Sequence, residues 1–264
     1  MYFLCQSAQG IGCEITDQFL KLDAKAAILL DIDEVQGTST SNNLTLKHGE
    51  GKVKFIKCDV TTDLEEVSKA IIDNYKTVDV LVVSAGVVSS PDHRKTIDIN
   101  VTAVIEWSMK FHYHMRKDNG GNGGTIMLIS SIFGFRPMPY ASDYQASKFA
   151  VVGFTKSLGH IENFKKTKVR VVALCPGFTE TPMTLNLRDP ELQKTLPKDL
   201  VKFANSFPWQ RVEDVGNAAV EVYEEAESGT VWLIEGGAPI TQVNLQERIK
   251  CYKLTRIIQC TAIS

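Results

Sequence analysis

Ser7-Ala8-Gln9-Gly10-Ile11-Gly12 decides how this chain is read. It follows a short apolar run, Tyr2-Phe3-Leu4-Cys5, and leads into Ile11, Ile15, Phe19 and Leu22 at helical spacing. A strand, a glycine turn and a helix in that order aim free N–H groups and the positive end of a helix dipole at the turn, which suits a pyrophosphate. Glycine lets the backbone approach such a group. Turns of this kind are common, and the next strand sharpens the signal. Ala26-Ala27-Ile28-Leu29-Leu30 is apolar and ends at Asp31, nineteen residues after Gly12. A carboxylate there accepts hydrogen bonds from ribose hydroxyls and repels a 2′-phosphate, so the pattern predicts NAD in preference to NADP. The plainer reading of Asp31 alone is a solvated strand terminus.

The alternation continues along the chain. Residues 53–58 read as a strand ended by Asp59, and Thr62 with Glu65 has the spacing of a capping box. The helix it would open carries a stripe of Leu64, Val67, Ile71 and Ile72. Further strands are predicted at 78–83, 125–130, 169–175 and 230–234, the last before Glu235-Gly236-Gly237. Apolar β-branched strands separated by amphipathic helices imply a parallel sheet covered on both faces. The expected fold is therefore α/β, a doubly wound parallel sheet (Rossmann fold) in a single domain, with ligands at the carboxyl ends of the strands. Asp31, Asp59, Ser84, Ser131 and Thr179 all fall at or just beyond such ends. The dinucleotide-binding domain is expected over 1–239, with a Pro-punctuated lid at about 178–210 and a C-terminal tail over 240–264.

Bulk composition narrows the partners. At 264 residues, 44% apolar and 23% charged, the chain has the makeup of an ordinary globular protein with a substantial core. A net charge of −2 gives no reason to expect nucleic acid or an acidic membrane surface. The six Cys, at 5, 13, 58, 175, 251 and 260, lack metal-like spacing and read as reduced core thiols. His112 and His114, two apart in a helical stretch, point to different faces, so no metal site is expected. Met1 to Cys5 is too short for a signal peptide, and no run approaches the ~18 apolar residues of a membrane span. A cytoplasmic location is the expectation.

Chemistry enters at Ser142-Asp143-Tyr144-Gln145-Ala146-Ser147-Lys148. Residues four apart share a helical face, so the Lys148 side chain can lie beneath the Tyr144 ring. A cation there favours phenolate and lowers the phenol pKa from roughly 10. Ser131, thirteen positions upstream at the end of an apolar run, supplies a hydroxyl, and the three make a proton-transfer site. Tyr113 and Lys117 have the same spacing. They sit where a helix dissolves into Asn119-Gly120-Gly121-Asn122-Gly123-Gly124, so they are expected at the surface.

With both ends read, the chain resembles the short-chain dehydrogenase/reductase family over roughly residues 2–237. Within it, the chain is most similar to NAD-dependent 15-hydroxyprostaglandin dehydrogenases and insect-type alcohol dehydrogenases. The matching runs are Ala8-Gln9-Gly10-Ile11-Gly12, Cys58-Asp59-Val60, Asn119-Gly120-Gly121, Val152-Gly153-Phe154-Thr155 and Cys175-Pro176-Gly177-Phe178. The resemblance implies Ser131, Tyr144, Lys148 and Asn100 as the catalytic residues. It assigns to the cofactor site Gln9, Gly10, Ile11 and Gly12, Asp31 with Ile32, Asp59 with Val60, Ser84-Ala85-Gly86, Tyr144 with Lys148, and Pro176-Gly177 with Thr179 and Thr181. It implies hydride transfer between a secondary alcohol or ketone and NAD, Tyr144 exchanging the hydroxyl proton. A homodimer or homotetramer is implied too, formed by the helices around Asn100 to Met115 and Tyr144 to Ile161.

Large apolar side chains after Gly177, among them Phe178, Met183, Phe203, Phe207 and Trp209, point to an apolar substrate. Phe133, Phe135, Met138 and Tyr140 either line the substrate mouth or pack in the core. Two other readings stand beside this one: a small-alcohol dehydrogenase of the same family, and a non-catalytic binding or storage relative with weakened cofactor binding. The departures behind the last are specific. Cys5 and Gln6 stand where the family has Thr-Gly, and a side chain at position 6 costs ~1–2 kcal/mol if the backbone must be left-handed. Val83-Ser84-Ala85-Gly86 replaces the family's Asn-Asn-Ala-Gly, and the first strand starts almost at Met1.

Overall fold

The apolar runs of the sequence become the strands of one sheet because both of their faces are covered. The computed structural model describes residues 1–6, 8–88 and 92–245. Its strands are β1 (Tyr2–Cys5), β2 (Ala26–Asp31), β3 (Val53–Lys57), β4 (Val80–Val83), β5 (Gly124–Ile129), β6 (Val169–Pro176), β7 (Val231–Ile234) and β8 (Thr241–Gln242). The helices are α1 (Gly10–Lys21), α2 (Glu34–His48), α3 (Leu64–Tyr75), α4 (His93–Ile97), α5 (Val104–Met115), α6 (Ser142–Leu158), α7 (Ile161–Thr167), α8 (Pro190–Gln193), α9 (Lys198–Asn205) and α10 (Val212–Glu225). Ser7 of the glycine turn and the part of the expected tail from residue 246, with Cys251 and Cys260, lie outside the described residues.

The strand order is β3-β2-β1-β4-β5-β6-β7-β8. Every neighbouring pair is parallel except β7 with β8, where Trp232 faces Gln242. Alternate side chains feed two cores. Leu4, Ile28, Leu30, Leu81, Ile126 and Val171 pack against Trp107, Phe111 and Val151 on one face. Phe3, Leu29, Val82, Met127 and Val172 pack against Ile15, Phe19, Val215 and Val222 on the other. This is the doubly wound α/β fold that the sequence predicts. Because the winding reverses between β1 and β4, a crevice opens there at the strand carboxyl ends.

Three local features differ from the sequence reading or go unmarked in it. The capping box at Thr62 and Glu65 does not form: α3 starts after Asp63, whose carboxylate instead accepts from the Asp59 backbone N–H (2.8 Å) and the Thr62 hydroxyl (2.7 Å). Helix α2 has no apolar stripe to betray it, and it buries Gly37, Thr40 and Leu44. A Cβ on Gly37 would stand 2.0 Å from the Phe55 ring, so the helix lies directly on β3. Thirdly, the region expected to be tail begins with β8, which extends the sheet.

One buried charge ties α1 to α2. The Asp17 carboxylate meets Lys21 (2.9 Å), Lys47 (2.7 Å) and His48 Nε2 (2.7 Å). Burial alone would raise its pKa, but hydrogen bonds from Lys47, His48 and Lys21 prevail and lower it to about 2. A carboxyl depressed by folding stabilises the protein above its ordinary pKa, and that stability is lost as pH falls through the folded value. Asp17→Asn is therefore expected to cost about 1–2 kcal/mol at pH 7, the half-exposed lysines limiting the effect. The deficit should shrink between pH 4 and pH 2, as read from urea midpoints.

Candidate active site

Tyr144 and Lys148 sit on the first two turns of α6, with Lys148 Nζ 5.5 Å from the phenol ring centroid. Ser131 follows β5 in extended conformation and opens a single 3-10 turn, its Oγ accepting from the Phe133 N–H at 3.2 Å. The same hydroxyl is close enough to the Tyr144 phenol to favour its ionised form. Neighbouring Ser130 donates to the Lys148 backbone carbonyl (3.0 Å), pinning the helix to the end of the sheet. The Lys148 ammonium donates to the Ile129 carbonyl at 3.0 Å.

Asn100 is fully buried in a π-helical turn, Asp98–Ala103, that runs into α5. Its carboxamide accepts from Val87 N (2.9 Å) and donates to Val87 O (2.8 Å) and Ser147 Oγ (3.1 Å). Ser147 in turn donates to Tyr144 O at 2.7 Å. The side chain thus fastens the loop after β4 to the helix carrying Tyr144 and Lys148. Gly86 is small for the same reason: a Cβ there would lie 3.3 Å from Asn100 Oδ1 and 3.5 Å from Lys148 Nζ.

At the other end of the crevice, α1 begins at Gly10, whose φ of +55 favours glycine. The helix has no side-chain cap, and its first-turn N–H groups lack intrahelical acceptors. A Cβ on Gly10 would touch the Thr181 side chain at 3.5 Å. Asp31 accepts from Ala8 N at 2.9 Å and from Asp33 N at 3.0 Å, so it holds the glycine turn while keeping further lone pairs. Thr40 Oγ1 donates to Ala8 O at 2.8 Å from α2.

One cleft of about 1190 Å³ joins the two ends. It is lined by Gln9, Gly10, Ile11, Gly12, Asp31, Ile32, Asp59, Val60, Ser84, Ala85, Gly86, Ser131, Tyr144, Lys148, Pro176, Gly177, Thr179 and Thr181. Asn100, of the residues expected from the sequence, stands behind the wall. Thr179 and Thr181 spend their hydroxyls locally, on Gly177 O (3.0 Å) and on Thr184 Oγ1 (3.2 Å). Sequence reasoning missed Gln6, Thr61, Arg94, Lys95 and Thr184 as lining residues. Arg94 and Lys95 follow the loop after β4, where no periodicity marks a site.

The aromatic segment after Gly177 behaves differently from its expectation. Phe178, Phe203, Phe207 and Trp209 pack on one another and on Phe133, with centroids 5.0–6.1 Å apart. They form a third core with Met138 and Ala141 beside Tyr144, and none lines the cleft. The Tyr144 phenol also departs from expectation. Burial pushes it up to about 12 despite the opposing influence of Ser131, and burial lowers Lys148 to about 8. Desolvation disfavours the charged form of both groups and outweighs their proximity.

A glycine turn, an acidic strand end and a Ser–Tyr–Lys cluster in one crevice define a class, the Rossmann-fold oxidoreductases. The family description "short chain dehydrogenase" matches residues 5–192. The chain is 35% identical to rat (Rattus norvegicus) 15-hydroxyprostaglandin dehydrogenase [NAD(+)] over 70% of each chain. It is 31% identical to alcohol dehydrogenase 2 of Ceratitis capitata, covering 86% of this chain and 88% of that one. Among solved structures, a single-residue variant of actinorhodin polyketide ketoreductase with NADPH superposes with a TM-score of 0.77 at 25% identity, covering 89% of this chain and 96% of that one. ElxO with NADP bound, at 24% identity and a TM-score of 0.74, shares the fold over 89% of this chain and 97% of that one. The chain belongs to the short-chain dehydrogenase family and is an oxidoreductase.

Lys148 offers a direct test of this electrostatic arrangement. A lysine depressed by folding binds fewer protons in the native state than in the unfolded state between its two pKa values. Its contribution to stability should therefore rise with pH from about 8 towards 10, against the opposite trend of Cys13, Cys58 and Cys175, whose thiols burial raises. The gain attributable to Lys148 is on the order of 3 kcal/mol. Lys148→Met is expected to lose that contribution, so wild type should gain on the variant in denaturation midpoint between pH 7 and pH 10.

Proposed function

We propose that the chain transfers a hydride between a secondary alcohol, or the corresponding ketone, and NAD. The observation that carries the reading is the convergence of Ser131, Tyr144 and Lys148 on the cleft that the glycine turn and Asp31 also line. When bound, the nicotinamide supplies the hydride chemistry. The chain's own residues do the rest. Ser131 hydrogen-bonds the reacting oxygen and orients it towards the phenol. Tyr144 exchanges the proton at that oxygen through its hydroxyl. Lys148 holds the phenol end of the cleft positive at neutral pH, and Asn100, behind it, fixes the position of α6 against the loop after β4. The α1 N-terminus takes the pyrophosphate, and Gly10 admits it.

The preference for NAD rests on charge. The cleft wall carries the carboxylates of Asp31 and Asp59 beyond β2 and β3, and Arg94 and Lys95 from beyond β4. Nearby Lys57 is engaged by Glu34 at 3.1 Å. A 2′-phosphate at the end of β2 would stand beside the Asp31 carboxylate, whose charge disfavours it. Titration is expected to show NAD binding tighter than NADP, and Asp31→Ser should narrow the ratio at least tenfold. Tyr144→Phe should lower kcat by about 10²–10⁴-fold while leaving the NAD dissociation constant unchanged.

Substrate size follows from the aromatic core. With Phe133, Phe178, Phe203 and Phe207 spent on mutual packing, the region beside Tyr144 favours a compact apolar alcohol over an extended lipid. The segment from Phe178 to Gln210 would act as a lid, joined at its base where Gln210 N donates to Phe178 O (3.0 Å). Buried reduced thiols at Cys58 and Cys175 support a reducing, cytoplasmic setting. Exposed Ile105, Met109 and Tyr113 recur every fourth residue on α5, and α6 presents Phe149 beside an open Gly153. These two faces support a homodimer built on α5 and α6. Sedimentation should find a dimer, and Phe149→Glu should shift it towards monomer.

A further inference from the structure

Three buried side-chain atoms among the described residues have no hydrogen-bond partner: Gln6 Nε2, His112 Nε2 and Gln210 Oε1. Of the three residues, Gln6 alone lines the cleft. It is 2% exposed, and its backbone N–H donates to Val82 O at 3.1 Å, continuing β1 along β4 into the crevice. Its backbone is not left-handed, since the non-glycine residues with positive φ among the described residues are Asp23, Lys76 and Lys168. The side chain at this position therefore carries none of the strain expected from the loss of glycine.

A buried donor without an acceptor is costly to keep in a native structure. Gln6 also lies in the wall that the glycine turn, Ser84 and Gly86 make, and its shielded Nε2 reaches a ligand when the carboxamide turns into the cleft. We propose that Gln6 is a cofactor-binding residue, its Nε2 donating to an acceptor oxygen in the ADP half of the bound dinucleotide. The inference rests on the dinucleotide reading of the cleft. Phosphate and ribose oxygens both supply the missing acceptor, and an ionised phosphate makes the stronger bond. The opposing possibility is that Gln6 fills space that a glycine leaves to the cofactor. The two predict opposite signs for one substitution.

Calorimetric titration of the full chain with NAD, ADP and adenosine decides between them. Gln6→Ala and the near-isosteric Gln6→Met are expected to bind NAD and ADP about tenfold more weakly than wild type. Without ligand, Gln6→Met should unfold at the same temperature or higher, since it removes an unpaired donor; a residue needed only for packing would not combine these effects. A loss seen with NAD and ADP but absent with adenosine places the contact on phosphate; an equal loss with all three places it on ribose. Binding by Gln6→Ala or Gln6→Gly as tight as wild type, or tighter, overturns the inference and leaves the cleft reading intact. If wild type binds neither NAD nor ADP at millimolar concentration, the cleft reading fails and the inference with it. Should Gln6→Ala not fold, Gln6→Met carries the same comparison.

Discussion

The ammonium of Lys148, held inside the protein with the Ile129 carbonyl as its hydrogen-bond acceptor, is the constraint around which this site is organised. A buried amine pulled down to about 8 is kept charged at neutral pH against a desolvation penalty. The surroundings are shaped to hold it. Ser130 fixes the backbone of Lys148 itself, and Gly86 leaves room for Nζ. Asn100 and Ser147 clamp the helix one turn away. None of these groups needs to touch a substrate to matter, because a shift of α6 would move phenol and ammonium together. The π-helical turn at Asp98–Ala103 fits this picture, since such bulges reposition side chains within an otherwise regular helix.

The second organising fact is topological. The glycine turn and the Ser–Tyr–Lys cluster are more than a hundred residues apart in sequence, and no local interaction joins them. They meet because β1 pairs with both β2 and β4, so that helices leave the sheet in opposite directions on either side of one crevice. The carboxyl ends of β1, β2, β4, β5 and β6 then contribute residues to a single wall. Contacts from the back secure that wall: Thr40 of α2 holds the glycine turn through Ala8, and Trp107 of α5 donates to Val60 O at 2.9 Å.

What could be read from the sequence follows from which interactions leave a pattern. Strands buried on both faces appear as unbroken apolar runs, and for that reason β2, β4 and β6 stand out. The i, i+4 spacing reveals that Lys148 and Tyr144 are near each other, but proximity says nothing about desolvation, which here raises the phenol. Helix α2 leaves no such pattern because it docks through Gly37 and Thr40, contacts that need smallness and a hydroxyl in place of hydrophobicity. The aromatic residues after Gly177 declare their apolarity correctly. Whether rings face a ligand or one another depends on tertiary packing, and here Phe133 collects Phe178, Phe203 and Phe207 into a core.

The departures from the family pattern also look different once their neighbours are known. Cys5 and Ser84, each standing where another residue was expected, approach each other across β1 and β4, Sγ to Oγ at 3.6 Å. Cys5 also donates to Gly12 O at 3.3 Å, which ties the end of β1 to the first turn of α1. The central strands thus keep a polar link at the crevice, made from a thiol and a hydroxyl. With its one proton donated to Gly12 O, the thiol sulfur accepts from the Ser84 hydroxyl. Two changes that look like separate losses in sequence form one contact in space. The same geometry draws Gln6, the next residue along, into extended backbone against Val82 and turns its side chain into the crevice wall.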